Sequence, residues 1–319
     1  MEALPISVEA LTARISGKQA ARAREQELVE TRPRRSLVAV RLPAIHQVFG
    51  LGTTFLQLTS LTRLRVSNIV REIPFWGILI LMAGLAINNG HFAGRLADRN
   101  VWPVTYLMLQ SVEGGAQLFF YIVATLYGAE LIWRERDTLF SGIHDALPIS
   151  EITDWFSKLF ALCFVEFVLL TITGLCGILM QTIAGCHHYE LFQYVKELYF
   201  ITFPQILTFI LSALFVQTVV SNKFIGHGIV IGIFVITPIL YNFGLENTLY
   251  LIGSTPPYTY SDMNGYGHFA LALFWSITYW LSITAILAVI SIALARRGSD
   301  EAWPARFSLA RQRLPRLIP

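Results

Sequence analysis

The stretch "IPFWGILILMAGLAINNG", from Ile73 to Gly90, contains no Asp, Glu, Lys or Arg. It comes close to the roughly 20 apolar residues that a helix needs to cross about 30 Å of hydrocarbon. Working outward, similar runs cover about 103–133, 158–184, 197–220, 225–244 and 268–295, and none has a Lys or Arg in its interior. Lipid offers the backbone no hydrogen-bond partners, so only helices and closed barrels can span it. Runs of this length lack the period-2 alternation of barrel strands. The expected fold is therefore all-α, a polytopic membrane protein with six transmembrane helices. Composition agrees: 54% of residues are hydrophobic and 14% charged, where soluble domains carry about 25% charged residues. A formal net charge of +3 is too small to argue for a nucleic-acid partner.

The placement of charge predicts orientation. With both termini inside, segments 1–72, 134–158, 221–224 and 296–319 hold 21 of the 24 basic residues, and the outer segments hold 3. Without residues 1–41 the split is still 13 to 3. Cytoplasmic segments carry the Lys and Arg excess, so both ends are expected in the cytoplasm. Three regions follow: a basic arm or linker over 1–41, a six-span body over 42–295, and a basic cytoplasmic tail over 296–319. The arm has no apolar core of the signal-peptide kind. Within 44–72, Phe55, Leu58, Leu61, Leu64 and Ile69 are apolar, with Arg63, Arg65, Asn68 and Arg71 between them. That pattern suits an amphipathic helix lying along the inner leaflet; packing on a soluble partner is the rival reading.

Between the second and third runs lies "WRERDTLFSGIHDALPIS", from Trp133 to Ser150. Arg134, Glu135, Arg136, Asp137 and Asp145 surround a short amphipathic piece carrying Leu139, Phe140, Ile143 and Leu147. Phe140 and Ile143, three residues apart, share a helix face. This segment resembles the coupling helix of type-2 ABC exporter permeases, which docks into an ATP-binding subunit. The resemblance implies a loop over 134–157 that couples to the ATPase through Arg134, Glu135, Arg136, Asp137, Leu139, Phe140, Ile143 and Asp145. It also implies a second permease half or a homodimer, the bacterial inner membrane, and ATP with Mg bound by the partner rather than by this chain. "AELIWRERD" (129–137), "YSDMNGYGHF" (260–269) and "ARRGSDEAWPARFSLARQRL" (295–314) narrow it further. They resemble the second permease half of bacterial proteins that fuse ABC permease halves to a zinc aminopeptidase. No HExxH zinc motif and no G-x-x-x-x-G-K-[ST] phosphate loop is present. A transporter membrane subunit and not an enzyme is expected, either a stand-alone half or a truncated product. The alternative is the membrane anchor of an aminopeptidase whose catalytic domain is missing. "EALPIS" (2–7) echoes "DALPIS" (145–150) as a chance match or the remnant of a repeat.

Three carboxylates fall in or near the apolar runs: Glu113, Glu130 and Glu166. A charge at mid-membrane costs at least about 2.5–3.5 kcal/mol on insertion scales and often marks function. Glu166 lies deepest, and a protonated side chain bonded to a neighbouring helix is preferred there over a proton relay or substrate contact. Glu130 is expected near the inner face with the coupling region, Glu113 near the outer face. "CHHYE" (186–190) reads as a wet outer loop, because adjacent residues on a helix diverge and no zinc spacing is present. Three cysteines, Cys163, Cys176 and Cys186, form no disulfide framework. Tyr250, Tyr258, Tyr260 and Tyr266 in the longest outer connection, 245–267, are predicted to join the interfacial aromatic belt. Pro204 and Pro238 are expected to kink the fourth and fifth spans.

Overall fold

A computed structural model describes residues 50–93, 95–96, 99–100, 102–244 and 247–295, with 304, 306–308, 310, 311 and 313 beyond them. The chain divides into residues 1–48 and 49–319, and every described residue belongs to the second unit. The predicted basic arm, its "EALPIS" repeat and the start of the amphipathic segment lie outside the described residues.

Helix α1 covers Leu51–Val70 and α2 Ile73–Phe92. A two-residue ladder pairs β1, Arg95–Leu96, antiparallel with β2, Arg99–Asn100. Helix α3 is Thr105–Asp137, α4 the single turn Ser141–His144, and α5 Glu151–Ile183. A composite helix follows: α6 at Leu191–Val195, a π turn at Lys196–Thr202, and α7 at Phe203–Val219. Helices α8, Lys223–Asn242, and α9, Phe269–Ala293, complete the described elements.

Five helical stretches are long and apolar enough to cross a membrane: Ile73–Phe92, Thr105–Asp137, Glu151–Ile183, Leu191–Val219 and Phe269–Ala293. The remaining expected span corresponds to α8, whose described apolar run, Lys223–Thr237, is shorter. Helix α3 packs against α2, α5, α7 and α8, and α9 packs chiefly on α7. Phe120 and Tyr127 of α3, Leu162 and Leu169 of α5, and Ile206 and Ile210 of α7 form the fully buried centre. Ile80, Leu81, Phe164, Leu175, Phe274 and Trp275 face outward and are exposed. So extensive an apolar shell marks a membrane-facing surface.

The α2–α3 crossing shows how a small residue sets helix distance. Phe75, Met82, Ala86 and Gly90 form the buried stripe of α2. Opposite them, a Cβ built at Gly115 would lie 2.6 Å from the Leu85 carbonyl oxygen, so only glycine fits. Close backbone approach of this kind drives membrane helix packing where the hydrophobic effect is absent.

The π turn has a local cause. Pro204 has no N–H, and its ring crowds the carbonyl four residues earlier; the chain widens ahead of it. In an α-helix, Glu197 and Thr202 would point about 140° apart. A π turn, bonded i to i+5, brings residues five apart onto one side.

Three predicted details are corrected. Arg65, expected on the polar solvent face of α1, is buried at 6% exposure because two carboxylates of the bundle hold it. Leu51, Phe55, Leu56 and Leu64 of the same helix are exposed. The loop predicted over 134–157 shortens to Thr138–Ser150 because α3 and α5, at 33 residues each, are about 50 Å long and outrun the hydrocarbon. The described part of the 296–319 tail folds back. Arg306, 3% exposed, donates to the Thr218 and Val219 carbonyls of α7's end and to that of Leu294 after α9, at 2.7, 3.2 and 2.9 Å. Arg313 donates to Ala295 O at 2.7 Å and Glu151 at 2.6 Å. Helix C-termini leave carbonyls without intrahelical partners, and cations complement their negative dipole end.

Candidate functional site

The predicted coupling residues divide into two sets. The charged ones are tied to the body of the bundle. Arg134 pairs with Glu72 at 3.3 Å, and Asp137 with Lys223 at 3.0 Å. Glu135 meets Arg65 at 3.3 Å and Lys158 at 3.3 Å. Arg65 also grips Asp154 by its side chain and, at 2.8 Å, by its backbone carbonyl. Lys158 reaches Asp154 at 3.0 Å. His144 lies 3.5 Å from Asp154, 3.7 Å from Glu135 and 3.6 Å from Asp145. Arg136 and Asp145 line the small cavity beside this knot. The neighbouring carboxylate of Asp154, with that of Glu135 behind it, raises the His144 imidazole above its usual value.

Glu135, His144 and Asp154 place ligand-type atoms within 4.8 Å of one another. A metal does not fit them, because Arg65 and Lys158 already occupy the approach to both carboxylates. Two fixed cations against two carboxylates make a balanced knot joining α1, α3 and α5.

The apolar set faces outward. Leu139 is 91% exposed, Ile143 61%, Phe140 46% and Leu147 41%. Helix α3 ends in a Schellman-type turn, with Phe140 N–H donating to Glu135 O at 2.9 Å and Leu139 N–H to Arg136 O at 3.0 Å. The left-handed position of that turn normally holds glycine. Here it holds Leu139, at φ 58°, a conformation that costs a residue with a Cβ about 1–2 kcal/mol. Sequence reasoning placed Leu139 in the amphipathic piece but had no signal for its backbone.

Glu130 accepts from Lys223 at 2.7 Å, the same lysine that pairs with Asp137. Glu166 is fully buried, and neither of its oxygens has a hydrogen-bond partner among the described residues. The expected bond to a neighbouring helix is not formed. Glu113 accepts from Thr202 Oγ1 at 3.1 Å. Beside it stands Glu197, which sequence reading passed over as the first residue of a span. Its two oxygens accept from the hydroxyls of Tyr258 and Tyr266. Those two tyrosines turn inward rather than into an aromatic belt. Tyr260 donates to Glu190 at 3.2 Å, and Tyr250 alone of the four stays 69% exposed. The "CHHYE" segment is bonded locally: Gln181 Nε2 donates to His188 O at 3.1 Å, and His187 Nδ1 lies 3.3 Å from the Tyr189 hydroxyl.

No curated protein matches the chain. A family described as "ABC-2 family transporter protein" matches residues 70–240, from the end of α1 into α8, and so includes the loop and all three predicted intramembrane glutamates. That stretch is more than half of the 319 residues, and the helical membrane architecture agrees with it. The chain is a multi-pass membrane protein belonging to the ABC-2 family of transporter proteins.

Proposed function

We propose that the chain is the permease subunit of an ATP-driven exporter, and that the segment from Arg134 to Ser150 is the lever through which a separate ATP-binding subunit moves it. One observation carries this reading: Leu139 presents an almost fully exposed side chain from a strained backbone position. Strain of this kind persists where the surroundings enforce it and clusters at functional positions. A lever needs an apolar grip and a rigid root. Leu139, Phe140 and Ile143 offer the grip, and the ion pairs to Glu72, Arg65, Lys158 and Lys223 form the root. ATP and Mg would belong to the partner. The 21-to-3 distribution of basic residues supports both termini and this loop in the cytoplasm, and the resemblance to bacterial permeases supports an inner-membrane setting. The motifs at 129–137, 260–269 and 295–314 support placement beside the second permease half of the aminopeptidase fusions, acting with a second half or as a homodimer.

The test is affinity capture from native membranes, reading the ATP-hydrolysing subunit retained. Leu139→Gly removes the side chain and relieves the strain, so it should match or exceed wild type in thermal stability yet retain at least tenfold less ATPase. Ile143→Asp should do the same to capture by placing a charge in the contact. Full ATPase recovery with both variants would refute the lever.

A further inference from the structure

The end of the bundle away from the loop contains a cavity of about 680 Å³. It lies between α3, the π turn and the segment Thr255–Tyr260. This is within the roughly 300–1,000 Å³ of small-molecule pockets. Its lining brings together Glu113, Glu197, Gln193, Tyr106, Tyr258 and Tyr260, and among the described residues no Lys, Arg or His contributes to it.

Three observations specify what it would hold. First, among the described residues its carboxylates have no cationic partner. At the loop end, Glu72, Glu130, Glu135, Asp137, Glu151 and Asp154 are each paired with Arg or Lys. Here Glu113 has the Thr202 hydroxyl and Glu197 the two tyrosines. Second, Gln193 is 4% exposed, and its Oε1 has no hydrogen-bond partner among the described residues. A buried acceptor left unmade costs about 1–3 kcal/mol, so a donor brought by a ligand would be rewarded. Third, aromatic rings stand beside the carboxylates, the combination that attracts organic cations.

A second cavity, of about 590 Å³, shares Gly114, Gln117, Gln205 and Thr255 with the first. It continues among Leu118, Phe209 and Phe234, so an apolar body can extend from the charged end. We propose that this double cavity binds amphiphilic organic cations, with an ammonium group set between Glu113 and Glu197, one N–H donated to Gln193 Oε1, and the apolar portion directed toward Phe209 and Phe234. That such cations are the transported class rests on the exporter reading; the site itself does not.

Binding is measured on the purified chain without any ATPase, so its failure is distinct from failure of the lever. The probes are tritiated tetraphenylphosphonium, which has charge but no N–H, and tritiated phenethylammonium, which has both. Wild type should bind each saturably at one site per chain. Glu113→Gln and Glu197→Gln should each weaken both probes at least tenfold. Gln193→Leu should weaken phenethylammonium and leave tetraphenylphosphonium within twofold. Gly114→Leu tests the volume independently of the charges, because a Cβ there meets nothing within 4 Å; it should abolish binding of both probes while the protein melts as wild type does. Saturable binding that survives Gly114→Leu, or that is unchanged in the Glu113→Gln, Glu197→Gln double variant, overturns the proposal. So does absence of saturable binding to wild type.

Discussion

The contact at Gly115 turns the α2–α3 crossing into a quantitative test. In Gly115→Ala the new Cβ would start 2.6 Å from Leu85 O, 2.9 Å from Leu85 C and 3.0 Å from Ala86 N. All three are backbone atoms, so no side chain can swing aside. Restoring an ordinary carbon–oxygen contact requires the helices to part by roughly 0.7–1.0 Å. A gap of that size forfeits a quarter to a half of each dispersion contact it opens, along the stripe of Met82, Ala86 and Gly90. Overpacking of this kind costs about 1–3 kcal/mol. Alanine's helix preference, up to about 1 kcal/mol over glycine, offsets part of it. Gly114 is the matched control: same helix, adjacent residue, and nothing within 4 Å of its built Cβ. Reversible unfolding in mixed micelles should therefore place Gly115→Ala about 1–3 kcal/mol below Gly114→Ala. Agreement of the two variants within about 0.5 kcal/mol would refute the packing argument.

Two further outcomes follow from the titratable groups. The His144 pKa is raised above 6.5 by Asp154 and Glu135, so its contribution to stability is complete below about pH 6.5 and is lost as pH rises through the raised value; wild type should melt progressively lower from pH 6 to 8, and His144→Gln should flatten that slope. Glu166 is buried with both oxygens unpartnered among the described residues, so Glu166→Leu should raise unfolding stability by about 1–3 kcal/mol, and a fall instead would show that the carboxyl has a partner in the membrane.

What the sequence reveals here is the part encoded by local pattern. An uncharged run such as 73–90 announces a helix by composition alone, and the loop after Trp133 stands out because its charges interrupt two such runs. Orientation toward the core is another matter. Arg65 carries the mark of a solvent face, yet its partner Asp154 is 89 residues away, and no periodicity within α1 reports that distance. Tyr258 and Tyr266 have the composition of an interfacial belt; only Glu197, 61 and 69 residues earlier, turns them inward. The widening before Pro204 was legible as a kink but not as a π turn, because one proline is compatible with both. The cavity depends on the inward tyrosines and the π turn together, which is why Glu113 could be flagged as costly while its companion Glu197 was not.

The arginine seals on α7 and α9 also bear on the order in which the protein is made. Arg306 is 88 residues downstream of Thr218, whose carbonyl it caps. At roughly 5–20 residues per second, about 4–18 seconds pass between the emergence of the two from the ribosome. Throughout that interval the end of α7 waits with its carbonyls unsealed, and α9 has still to be threaded and packed against it. The sealing contacts thus become available only after α9 has been made, and they join a nascent helix end to a segment that arrives after that span. Slowing translation across residues 220–305 would lengthen the open interval without altering a single contact of the finished fold.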